Sequence, residues 1–163
     1  MRFTTKTRRH KGIRVFLVCL CVFVSMWFET TETSAHDIPA DITIHAFFKP
    51  EGQHLRFLVR VPLKAMRDIE FPKRGPGYLD LSRVDEYLRD GAVQWIANFT
   101  EIEEADTRLP KPEIVDARVS LESDKSFTSY EEALAHVTGP RLANNIDLYW
   151  DQAMLDVLFD YPI

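Results

Sequence analysis

His36 follows Thr33-Ser34-Ala35, three small residues of the kind a signal peptidase cuts behind. Cleavage after Ala35 makes His36 the amino-terminal residue. Its free α-amine and its imidazole then form a bidentate chelate, and both donors can be neutral near pH 7. Two nitrogens in that arrangement suit Cu(II) or Ni(II), which favour nitrogen ligands in tetragonal geometry. Asp37 stands beside them, and folding has to bring a third ligand from His45, His54, His136 or an acid. The expected metal ligands are His36, Asp37 and His45, with copper or nickel as the cofactor. The competing reading is a frayed, solvated terminus, which is what most chain ends are.

Other chemistry is thinly signalled. There is no G-x-S-x-G, H-E-x-x-H, C-x-x-C, EF-hand loop, Walker loop or dinucleotide fingerprint. Glu101, Glu103 and Glu104 form an acidic cluster able to attract a divalent cation, but a solvated strand edge explains it as well. Lys73 and Arg74 are the densest positive charge after the leader. They stand in a Gly/Pro-punctuated loop, Phe71–Tyr78, that has no phosphate-binding pattern. His136 falls in the last turn of an expected helix, where a donor or cation suits the helix dipole. His54, at a hairpin end, reads as solvated.

The elements that position these residues begin with an export signal. Residues 1–14 carry six basic residues and no acid, and Val15–Phe28 is an uncharged apolar run of 14. A membrane-spanning helix needs about 20 such residues, so the run fits a signal-peptide core with a basic flank. Residues 1–35 are the expected signal and 36–163 the extracytoplasmic domain, periplasmic or facing outward from a membrane. Both cysteines, Cys19 and Cys21, lie in the signal, which leaves the domain without disulfide or thiolate chemistry. The domain keeps 14 basic and 23 acidic residues, a net charge of −9. That balance argues against nucleic acid and anionic lipid as partners.

In the domain, Ile42, Ile44, Ala46 and Phe48, then Leu55, Phe57, Val59 and Val61, alternate with mostly polar residues, the pattern of two half-buried strands. A turn over Pro50–Gln53 pairs Phe48 with Leu55 and Ile44 with Val59. It sets His45 across from Leu58, with Arg56 and Arg60 on the diagonals. A helix follows, with Ser82 as its cap and Val84, Leu88, Ala92, Trp95 and Phe99 on one face, broken at Asp90-Gly91. A second helix spans about Ser129–Val137, capped by Thr128 or Ser129 and ended by Gly139-Pro140. Strand patterns recur around Ile102, over Val115–Leu121 and over Leu155–Tyr161. The expected fold is a β-rich α+β domain, antiparallel and sandwich-like, with two helices. A strand that ends the chain leaves it looking incomplete at its C-terminus.

Four stretches carry a family resemblance: AHDIPADITIHAFFKPEG, RGPGYLDL, TSYEEALAHVTGP and LDVLFDYPI. Together they resemble the extracytoplasmic N-terminal part of bacterial HupE/UreJ-like membrane proteins, over essentially all of residues 36–163. The resemblance implies a polytopic membrane half after this domain, absent here, and a link to nickel or other metal transport. The expected function is a non-catalytic exported head that handles metal or binds a partner, the partner being a membrane protein or the missing membrane domain. The alternative is a copper-dependent enzyme centred on His36.

Overall fold

The structure, a computed structural model, describes residues 42–163. The expected export signal, its cleavage site, His36 and Asp37 lie outside the described residues. Four long strands form one antiparallel sheet: β1 (His45–Glu51), β2 (His54–Pro62), β7 (Glu113–Leu121) and β8 (Ala153–Pro162), in the order β1-β2-β8-β7. Two small hairpins supply the other strands, β3 (Lys73–Arg74) with β4 (Tyr78–Leu79), and β5 (Glu103–Glu104) with β6 (Thr107–Arg108). Two α-helices complete the fold, α1 (Val84–Gly91) and α2 (Tyr130–Val137). The fold is α+β and β-rich, with antiparallel sheets. The layers packed on the long sheet are helices and loops; a second large sheet is not part of them.

One face of the sheet carries Phe57, Val59 and Val61 of β2, Ala117 and Val119 of β7, and Leu155, Val157, Phe159 and Tyr161 of β8. Val84 and Leu88 of α1 pack onto it. So do Ala92, Ile96 and Ala97 from the π-helical turns that continue α1 over Ala92–Ala97. Gly91 lies at that junction in ordinary helical conformation. A Cβ there would meet Ile69 Cδ1 at 3.0 Å and Met66 Sδ at 3.1 Å, so glycine permits the close approach. The opposite face carries Leu58 and Leu158, covered by Phe127 and by Tyr130, Ala133 and Val137 of α2. Both faces of β2 and β8 are therefore buried, and β8 is paired on both sides.

Three local expectations are corrected. The hairpin loop is the two-residue Gly52-Gln53, with Gly52 at φ +66°, so Phe48 pairs with Phe57 and Ala46 with Val59. A positive φ at the first loop position matches the twist of the flanking strands. The slip of two residues keeps every side chain on its expected face but changes its neighbour. Ser82 does not cap α1; its hydroxyl donates to Asp80 Oδ1, and Arg83 is the N-cap without a side-chain bond. Phe99 is 80% exposed rather than on the apolar face, because the wider π turns shift the angular phase and the helix ends at Ala97. At α2, of the two caps considered, the Ser129 hydroxyl accepts from Glu132 N.

Candidate functional site

The densest chemistry among the described residues lies under α2. His45 of β1, Arg60 of β2, Asp156 of β8 and Arg118 of β7 stand in one row across all four strands. Asp156 is fully buried, and Arg60 and Arg118 nearly so. Strand pairing makes neighbours of residues far apart in the chain. Period two turns this row to the same face as Leu58 and Leu158, which α2 covers.

Arg60 grips Asp156 with two bonds, Nε to Oδ1 and Nη2 to Oδ2, each 2.7 Å. This fork-on-carboxylate geometry is the strong form of a charged hydrogen bond. Arg60 Nη1 also donates to the Asp124 carbonyl at 2.7 Å, and Nη2 to Asp124 Oδ1 and Ser126 Oγ, each at 3.0 Å. Its guanidinium carbon lies 4.3 Å from the centre of the Phe127 ring. Arg118 donates to the carbonyls of His136 and Pro140, tying down the C-terminal end of α2. The His136 imidazole sits between two carboxylates, Nε2 3.1 Å from Asp156 Oδ2 and Nδ1 3.6 Å from Asp124 Oδ2.

Burial alone would raise the Asp156 pKa. The Arg60 bonds, and then contact with His136, outweigh it and hold the carboxyl below its usual range. Burial also opposes ionisation of Asp124, but bonds from Ser126 and Arg60 lower its pKa to about 2. Burial works against the Arg60 charge as well; its bonds to Asp156 and Asp124 more than restore it and raise its pKa. Arg118, with only carbonyl partners, is lowered by burial. Arg118 Nε, Ser120 Oγ and His136 Nε2 are buried without a hydrogen-bond partner.

A cleft of about 410 Å³ opens over one end of this row. Its walls include His45, Lys64, Lys125, Thr128 and Met154, with Arg60 and Asp124 at the cluster side. Arg60 and Asp156 are thus spent on one another and on Asp124 and Ser126, and Arg118 on the carbonyls at the end of α2, which ties α2 to the sheet.

Among the described residues, those expected from sequence to do chemistry are dispersed; His36 and Asp37 lie outside them. His45 is exposed on β1, opposite Arg60 rather than Leu58, because of the hairpin slip. Among the described residues no three His, Cys, Asp or Glu side chains are grouped to hold a metal ion. His54 is bonded to Asp160 at 2.9 Å and is not simply solvated. Glu101 pairs with Arg108 at 2.7 Å beside the exposed β5–β6 hairpin. Arg74 donates to the Ile146 carbonyl and Asp147, and Lys73 stands over the Trp150 ring, so the Phe71–Tyr78 loop uses its charge internally. His136 does occupy the last turn of α2, but its partners are carboxylates from two other segments. Sequence reasoning missed the Arg60–Asp156–Arg118 row. The available signal was Leu58 and Leu158 interrupting the polar faces of two strands, which marks a second buried face.

A different kind of surface lies on β1 and the three residues before it. Ile44 is 57% exposed and Phe48 53%, with Ile42 exposed beside them. Helix α1 packs mainly against β7, at the far edge of the sheet from this strand. The Phe48 ring stacks on Phe57 at 4.3 Å and leaves its outer side open. No helix among the described residues is long and apolar enough to cross a membrane. No family model, curated protein or solved structure matches the chain.

Proposed function

We propose that the chain is an exported, non-catalytic binding domain, the soluble head of a HupE/UreJ-like membrane protein, and that it docks its partner along β1. The observation that supports this reading is the contrast between an inward charged cluster, spent on its own residues, and exposed Phe48 on an edge strand with exposed Ile42 and Ile44 just before it. Grouped apolar residues on a surface otherwise rich in charge mark interaction sites. An exposed strand edge supplies unpaired backbone groups as well.

The test is native size analysis of the exported full chain from its cell envelope. Wild type is expected in an assembly larger than the monomer, and an Ile44→Lys/Phe48→Lys variant as free monomer, both unfolding at the same urea concentration. Wild type that migrates as a free monomer, or an assembly that survives the double substitution, overturns the docking surface. Export is checked by fusing alkaline phosphatase after Ile163, since its disulfides form only in an oxidising compartment. A silent fusion overturns the export claim.

Metal handling belongs to the same proposal and rests on the His36 chelate. Titrating Cu(II) and Ni(II) into protein beginning at His36, beside a copy with one extra N-terminal Ala, reads it directly. Tight binding that the added residue abolishes is the expected result. Equal weak binding by both removes the chelate from the proposal.

A further inference from the structure

The two edges of the sheet are finished differently. At β7, Arg89 Nη1 donates to the Ile114 carbonyl and Arg141 Nη1 to the Ala117 carbonyl, while Asp116 Oδ1 accepts from Ala117 N. A bulge between Ile114 and Asp116 breaks the strand's regularity. Side chains over edge carbonyls, charges and a bulge are how proteins protect an edge from adding strands. At β1 the ladder with β2 is regular over all seven residues, and among the described residues no strand lies beyond it.

Hairpin geometry says which β1 groups are open. Glu51 and His54 flank a two-residue loop, so they form a hydrogen-bonded pair, and so do Lys49 with Arg56, Phe47 with Leu58 and His45 with Arg60. The residues between them, Ala46, Phe48 and Pro50, turn their backbone groups away from β2, and Ile44, which immediately precedes β1, falls on the same alternation. Pro50 is tolerated for that reason, since it removes no bond to β2. The outward backbone groups and the exposed side chains of Ile44 and Phe48 therefore belong to the same residues.

We infer that β1 pairs antiparallel with β1 of a second copy of this chain, about a two-fold axis at Ala46, joining two sheets into one of eight strands. This deepens the docking surface proposed above and rests on that reading. The strand is its own complement in this register. Ile44 lies opposite Phe48 of the other copy twice, Ala46 opposite Ala46, and Thr43 opposite Lys49. His45 faces Phe47, so no like charges are opposed. Ile44, Ala46 and Phe48 exchange about six backbone bonds. A shift of the axis to Phe47 would instead set His45 against Lys49 and bring Phe48 against Ala46, leaving Ile44 opposite Pro50. The contact is isologous and closes as a dimer, and the protected β7 edges keep the sheet from growing further.

A photo-crosslinking phenylalanine analogue at position 48 of the exported full chain tests this. The expected adduct has twice the monomer mass. It is lost with Ala46→Pro, which removes an outward N–H, and does not form from the analogue at Val93, an exposed position on the π-helical turns. If Ala46→Pro does not reach the folded state by urea titration, Ile44→Lys takes its place with the same expected loss. A doubled-mass adduct that persists in the folded variant overturns strand pairing. An adduct of another mass overturns the second copy and leaves the partner-binding reading standing. No adduct from position 48 overturns both.

Discussion

Under α2, Arg60, Asp156 and Arg118 are buried charges whose partners come from other strands and loops; at the β1 edge, Phe48 on the strand and Ile44 just before it are apolar side chains left in solvent. Each region inverts the usual distribution of polar and apolar groups, and both sit on the same sheet. The cluster is tied to Asp124, Ser126, His136 and Pro140, so a change there is felt by the whole fold. On β1, Phe47, Lys49 and Glu51 reach Phe127, Tyr130 and Glu131 on the α2 side, whereas Phe48 on the other face stacks on Phe57 alone and is half exposed, so a change at Phe48 is felt mainly by whatever docks. Inverted polarity paired mostly within the fold acts as scaffold, and inverted polarity left open is where the proposed partner would dock.

That division can be broken by experiment. The largest effect on stability is expected from Asp156→Ala, which leaves Arg60 without its carboxylate. Removing one partner of a buried pair costs about 3–5 kcal/mol, read as a lower urea midpoint. A loss under 1 kcal/mol would mean that the cluster is not scaffold. Acid is the next lever. Asp124 has a folded pKa of about 2 against an ordinary 3.8, so its contribution is complete above about pH 4 and lost as pH falls towards 2. Asp156 is shifted in the same direction and adds to the loss. Asp124→Asn should flatten the stability profile between pH 4 and 2; an unchanged acid limb would place the linkage elsewhere.

Ser129→Ala removes the α2 cap and should cost about 1 kcal/mol, roughly the usual value of such a cap, by thermal unfolding. The smallest stability effect belongs to Ile44→Lys, within about 0.5 kcal/mol as for exposed sites in general, although it should abolish association. A large loss of stability from Ile44→Lys would show that β1 is part of the core after all.

Much of the fold was legible because period two and period 3.6 are local properties of the chain. The alternation in Ile42–Phe48, Leu55–Val61 and Leu155–Tyr161 marked long strands, and TSYEEALAHVTGP marked α2 with its Ser129 cap and Gly139-Pro140 end. The antiparallel, β-rich α+β class followed from those. The hairpin register did not, because two turns, one at Pro50–Gln53 and one at Gly52-Gln53, keep the same faces and differ only in closure. The position of Phe99 did not either, because π turns leave no periodic mark of their own.

The site was the least legible part. His45 was singled out for its imidazole, yet Arg60, one row across, is the residue that the fold buries. Nothing local distinguishes Arg60 from Arg56, or Asp156 from Asp160, on strands that alternate in the same way. Which strand lies at the centre of the sheet, which face α2 covers, and which arginine finds a carboxylate from nearly a hundred residues away are set by long-range packing. The sequence determined the elements and their faces, because side-chain direction along a strand or helix is a matter of spacing. Only the tertiary structure decided which polar residues are inside and which apolar ones are out, because burial depends on what comes to lie on top.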